Sequence, residues 1–183
     1  APTHNGVVSF DSENYKIADT VVVTLNDQDM NTDSGLIDVY VTSSTTDKVG
    51  TGETIAAGLV LDITFDDLNW NGSDEDSDCA AGDITGDDGL YATGFTLLES
   101  GVDSGIFTGS FQVPTNFCFT DDDLAVTTGT DLVKGVTGLD MEVNYQDFRN
   151  ASGESIEVGA GASINANTGS VAFDRTVYPV PYG

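Results

Sequence analysis

Leu139-Asp140-Met141-Glu142-Val143-Asn144-Tyr145 is the stretch that decides the fold. Large apolar side chains stand at every second position, with carboxylates or an amide between them. A period of two sends Leu139, Met141, Val143 and Tyr145 to one face of a strand and Asp140, Glu142 and Asn144 to the other. The same grammar recurs along the chain. Residues 20–25 put Val21, Val23 and Leu25 on one face, and residues 106–113 put Phe107, Phe111 and Val113 on one face. Residues 36–42 are expected to turn Ile37, Val39 and Val41 inward and Asp38, Tyr40 and Thr42 outward. Further strands are expected at 59–65 and 91–98, with a final one formed by 155–158 and 162–164. No apolar stripe occurs at helical spacing, and the 21 glycines are spread among turns. Short β-branched strands at this spacing describe an all-β antiparallel sandwich.

Two segments break the pattern. Residues 66–89 are too polar for a core and too long for a hairpin, which marks an inserted acidic loop. Trp70 is expected to anchor that loop on the sheet. Residues 176–183 contain Pro179 and Pro181, which remove two ladder donors on one side, as an edge strand or extended connector tolerates. The expected division is a sandwich over 1–169, carrying the acidic insertion at about 66–89, followed by a tail over 170–183.

That tail repeats the beginning. Val8-Ser9-Phe10-Asp11 is followed after three residues by Tyr15-Lys16-Ile17, and Val171-Ala172-Phe173-Asp174 is followed after three residues by Tyr178-Pro179-Val180. Gly6 and Gly169 each precede the valine by two positions. Self-similarity at a domain-sized period marks arrays. A strand with no neighbour left in its own domain can add to another sheet. Phe173 and Tyr178 are therefore expected to use in a neighbouring copy the pockets that Phe10 and Tyr15 use here, with Pro179 and Pro181 keeping the tail at an edge.

Charge narrows the partners. The 183 residues hold 31 Asp+Glu against 5 Lys+Arg, a formal net charge of −26. Such a surface repels nucleic acid and anionic lipid and attracts cations. No apolar run approaches the roughly 20 residues of a membrane span. Disorder is not implied, because 39% of the residues are hydrophobic and fall in alternating runs. Cys79 and Cys118 are the only cysteines, and they are expected to close one disulfide loop of about 40 residues in an oxidising, extracellular setting.

Oxygen ligands at alternate positions, Asp27, Asp29, Asn31 and Asp33, follow the second strand and can turn inward on a hard cation such as calcium. They lack the central glycine and terminal glutamate of an EF-hand, and a solvated acidic turn is the other reading. Glu99 with Asp103, and Asp147 with Asn150, are further candidates at turns that gather at one end of a sandwich. Asn71 and Asn150 open Asn-X-Ser triplets in turns expected to be exposed, so both are candidate glycosylation sites. Catalysis has little to work with. His4 is the single histidine, which rules out a histidine triad in the core and a multi-histidine metal site.

The phrase Phe173-Asp174-Arg175-Thr176-Val177-Tyr178-Pro179-Val180-Pro181-Tyr182-Gly183 resembles the domain-junction motif of surface-layer proteins from ammonia-oxidising archaea. Residues 23–31, 99–111 and 145–153 are similar to phrases recurrent in the same arrays. The resemblance covers most of the chain except 66–89 and 117–130. It implies an immunoglobulin-like sandwich, no enzyme activity, and self-assembly at the cell surface as a lattice or an extracellular filament. Surface-layer proteins of this group are far longer, so the chain corresponds to one domain of an array or to a small relative that polymerises. The alternative class is a calcium-dependent adhesin or carbohydrate-binding module.

Overall fold

The computed structural model describes residues 3–42, 49–50, 60–70, 89–119, 132–166 and 171–172. The chain opens with two short strands, β1 (Val7–Phe10) and β2 (Asn14–Tyr15), and a longer β3 (Thr20–Asn26). A 3-10 turn at Gln28–Met30 leads to β4 (Val39–Thr42), β5 (Val49–Gly50), β6 (Leu61–Phe65) and β7 (Leu68–Asn69). One helical turn, α1 (Gly89–Ala92), precedes β8 (Thr96–Glu99) and β9 (Ile106–Gln112). Then come β10 (Asn116–Phe119), β11 (Leu132–Gly135), β12 (Asp140–Asp147) and β13 (Ile156–Ile164).

Strands β1-β3-β9-β8-β4-β5-β6-β12-β13 are hydrogen-bonded in that order, all antiparallel, and β2 joins β13 in parallel. The short β5 links two layers, pairing Val49 with Thr42 on one side and with Leu61 on the other. Strands β1, β3, β9, β8 and β4 make one layer, and β6, β12 and β13 make the other. The fold is an all-β sandwich. Val21, Val23, Leu25 and Phe107 from the first layer meet Phe65, Met141, Val143 and Ile164 from the second, all at most 1% exposed. Each such side chain contributes roughly 1.5–3 kcal/mol of transfer free energy, which is why the period of two dictates the architecture.

The first residues serve both layers. β1 pairs with β3, with Val8 opposite Leu25. The chain then crosses over, and β2 lies beside the end of β13, with Asn14 opposite Ser163 and Tyr15 opposite Ile164. Asp11 pins the crossing: its Oδ1 accepts from the Val22 amide at 2.8 Å and from the Tyr15 hydroxyl at 2.5 Å. The buried Tyr15 ring meets Phe10 edge-on at 6.1 Å.

Several expectations need correction. In β4 the register is reversed: Tyr40 and Thr42 are buried, whereas Ile37, Val39 and Val41 are exposed. Tyr40 wins the inward position because its ring packs on Phe107 at 5.5 Å while its hydroxyl donates to the Met30 carbonyl. The strand expected at 91–98 is shorter. Tyr91 lies in α1, which ends where Gly94, at φ 70°, donates its amide to the Tyr91 carbonyl. The final strand is formed as expected, running unbroken as β13. Of the stretch expected as the acidic insertion, residues 66–70 are described, and they close a short hairpin. Asp66 and Asp67, at φ 48° and 64°, form the two-residue turn between β6 and β7, and such a turn requires both residues in the left-handed region. Trp70 is buried against Phe65 and Phe111, as an anchor should be. Residues 71–88, Asn71 and Cys79 among them, lie outside the described residues, as do Phe173, Tyr178, Pro179 and Pro181.

Strands β10 and β11 form a separate two-stranded ladder that the sequence pattern did not announce. Phe117 carries it onto the core, 4.8 Å from Phe65. Cys118 beside it is buried and disulfide-bonded, and Cys79 is the only other cysteine in the chain.

Candidate functional site at the acidic end

The end of the sandwich where β3, β8 and β12 finish gathers the loops that hold every sequence-nominated ligand. After β3, Asp27 caps the 3-10 turn by accepting from the Asp29 amide at 2.8 Å. Its other oxygen accepts from the Tyr145 hydroxyl, 2.5 Å away on β12. Asp147, two residues further along β12, accepts from the Gly6 amide at 2.9 Å and the Arg149 amide at 3.0 Å. Asp29 accepts from both the amide and the ring of His4. Gly6 is required here, because a Cβ on it would lie 2.3 Å from the Tyr145 ring.

A second group lies across the β8–β9 turn. Glu99 is 2% exposed and ties three segments together, accepting from the amides of Asp38, Ser104 and Gly105. Asp103, at φ 61°, accepts from Asn31 Nδ2 at 2.7 Å and from Gln28. The Asp33 carboxylate accepts from the Gly35 amide in its own loop. Asn150, expected on an exposed turn, is instead 8% exposed. Its Oδ1 staples that turn by accepting from the Ser152 and Glu154 amides.

The nominated carboxylates are thus engaged mainly with backbone amides that the loops would otherwise leave unpaired. Among the described residues, no group of three or more His, Cys, Asp or Glu is arranged to hold a metal ion. The loops do gather at one end as expected, but they are joined by hydrogen bonds. Three participants escaped the sequence reading. Asp38 accepts from the Thr32 amide and hydroxyl and from the Asp33 amide. Tyr145 and Gly6 were read only as strand and repeat residues.

No family model matches the chain, and no curated protein matches it. Its chemistry therefore has to be read from its own residues. The described residues include no helix long and apolar enough to cross a membrane. On the outer face of β6 and β12, a shallow cleft of about 250 Å³ is lined by Asp62, Asn144, Gln146, Phe148 and Glu157.

Burial pushes the Asp27 carboxyl above its ordinary 3.8. The Tyr145 and Asp29 hydrogen bonds oppose that shift, and the neighbouring charges of Asp147 and Asp29 add to it. Four other carboxyls move the opposite way. Asp11 is lowered by the Tyr15 hydroxyl, Asp38 by the Thr32 hydroxyl, and Glu99 by the Asp38 amide. Burial alone would raise Asp29, but the His4 hydrogen bonds outweigh it. Burial also raises the Tyr40 hydroxyl to about 12.

These shifts fix how stability responds to acid. A raised carboxyl costs stability while ionised, and that cost is relieved as pH falls through its folded pKa. A lowered carboxyl contributes stability above its unfolded pKa, here 3.8 for the aspartates and 4.5 for Glu99, and loses it as pH falls further. The melting temperature is expected to rise gently as pH drops from 7 toward those values, then fall steeply below them. Relief of the surface repulsion acts in the same direction as Asp27, so Asp27→Asn isolates its share. That variant should show a smaller rise and an unchanged fall in melts between pH 7 and 2.5. An unaltered rise in the variant would remove Asp27 from the account.

Proposed function

We propose that this chain is a non-catalytic structural domain that joins copies of itself end to end at the cell surface, as a lattice or an extracellular filament. One observation carries the proposal. The site for a Phe-Asp-x-x-x-Tyr segment is already filled in this domain by Phe10, Asp11 and Tyr15, which cross from one layer to the other. The tail carries the same segment again at Phe173, Asp174 and Tyr178, with Gly169 at the same spacing in sequence as Gly6. A second copy of a crossing strand has its place in the next domain. Covalent continuation would make it that domain's first strand, and a free tail would add it to a neighbour's edge.

The finer fold reading is immunoglobulin-like. In such domains a four-stranded layer, with its second strand central, faces a three-stranded one. Here the layer β1-β3-β9-β8, extended at its edge by β4, faces β6-β12-β13, and the opening strand divides between them. The likeness to archaeal surface-layer phrases points the same way.

Deleting residues 170–183 is expected to leave the melting curve of the sandwich unchanged while abolishing ordered assemblies in negative-stain micrographs. A contact of this head-to-tail kind does not close on itself, so its loss removes the polymer. Assemblies that survive the deletion would place the joint elsewhere.

Calcium at the acidic end belongs to the same proposal. What favours it is Asn31 Oδ1, buried beside Asp103 without a hydrogen-bond partner among the described residues. Asn31 and Asp103 would hold a hard cation with water completing its oxygen shell. Chelation is expected to lower the melting temperature by about 5–10 °C, the effect of removing a ligand at 100-fold its Kd from a domain of this size. Identical curves with calcium and with chelator at fixed ionic strength would leave salt screening as the stabilising agent. A carbohydrate-binding reading rests on the cleft beside the exposed Phe148, and glycan binding lost in Phe148→Ala would favour it.

A further inference from the structure

The two outer faces of the sandwich differ in charge. On the β6-β12-β13 layer the outward positions include Asp62, Asp140, Glu142 and Glu157. On the β1-β3-β9-β8-β4 layer no outward-facing residue of any strand is charged. Those positions carry Thr, Ser, Asn, Gln and aliphatic side chains. At one side of this face an apolar strip runs across cross-strand neighbours: Val39, Val41 and Leu98 are 51%, 45% and 50% exposed, and Val39 sits opposite Leu98. In a chain with 31 carboxylates against 5 basic residues, a whole uncharged sheet face is the feature that most needs a reason.

We propose that this face packs against the same face of a second copy, about a two-fold axis. The partner follows from charge. Two chains of −26 repel wherever carboxylate meets carboxylate, and of the two outer faces of the sandwich this is the one that a copy can approach without that penalty. An uncharged centre with charged residues confined to the surrounding turns is also the anatomy of a protein interface. Strands of 4, 7, 7, 4 and 4 residues, about 4.8 Å apart, present on the order of 400 Å² per copy. The total of about 850 Å² lies in the range of weak, transient contacts. The pairing is therefore weak for an isolated pair and is strengthened when many copies are held in a row. It is lateral and independent of the end-to-end joint, so a chain that never joined through its tail would still pair.

The test uses the full chain with Thr108→Cys, at mid-face opposite Leu98. One added thiol per copy caps a bismaleimide product at two chains, whatever the tail does. Efficient cross-linked pairs are expected, together with a concentration-dependent dimer in sedimentation. Adding Leu98→Glu should reduce both by more than about tenfold, since a two-fold contact meets the new charge twice. Adding Gly161→Glu, the same charge on the acidic face where a Cβ would make only ordinary van der Waals contacts, should change neither. Pairs without long assemblies would uphold this face and remove the end-to-end joint, and long assemblies without pairs would do the reverse. A chain that stays monomeric at millimolar concentration, or that responds equally to both glutamates, overturns the proposal.

Discussion

Alanine at position 109 is expected to destabilise the domain by about 3 kcal/mol, an unusually large loss for one added methyl. Gly109 lies mid-strand in β9, opposite Val23. A Cβ there would lie 2.6 Å from the Thr96 carbonyl oxygen and 2.6 Å from the Phe95 ring. Neither neighbour can yield. Thr96 is held in the ladder to β4, opposite Val41. Phe95 is 1% exposed and wedged edge-on against Phe111 at 6.0 Å. The methyl therefore has to part β8 from β9 or expel an aromatic ring from the core. Urea unfolding should show a lower midpoint at unchanged slope. Gly101→Ala, where nothing lies within 4 Å, should be nearly neutral. A loss below about 1 kcal/mol at position 109 would mean that the layer is softer than its packing implies.

Breaking the disulfide at Cys118 is expected to cost about 3–4 kcal/mol, from the entropy of opening a loop of roughly 40 residues. For a domain of this length that corresponds to a fall of about 10 °C in melting temperature. The bond also holds the β10–β11 ladder, which reaches the main sheet through Phe117. Reduction should therefore loosen that ladder first, visible as early loss of amide protection at residues 116–119. Cys118→Ala should reproduce the melting shift. Full reduction, verified by mass, with no change in melting would show that the ladder and core hold without it.

The strands with long clean alternation, β3, β9 and β12, were legible because one face is apolar and the other is not. β4 was misread because Ile37-Asp38-Val39-Tyr40-Val41-Thr42 offers apolar groups on both faces. Only the positions of Phe107 and the Met30 carbonyl decide for tyrosine. The two-residue strands β2, β5 and β7 are too short to carry a period at all. At the acidic end, alternate oxygens at 27, 29, 31 and 33 suit a cation or a set of loop amides equally well in sequence. The choice depends on partners such as Tyr145, which lies 118 positions from Asp27. Asp38 and Glu99 show the same limit, since each carboxylate is identified by the amides around it.

The crossing of the first residues from one layer to the other has a mechanical consequence. The chain enters the sandwich at the acidic end and leaves β13 at the opposite end. Tension along that line slides β1 past β3 and β2 past the parallel end of β13. The bonds from the Ser163 amide to the Glu13 carbonyl and from the Asn165 amide to the Tyr15 carbonyl, at 3.0 and 2.8 Å, are then stretched together rather than in succession. The Asp11–Tyr15 bond sits between the two loaded segments and couples them. The terminal strands thus act as a shear clamp, and resistance to pulling is set by the rate at which that clamp slips rather than by the equilibrium stability of the core.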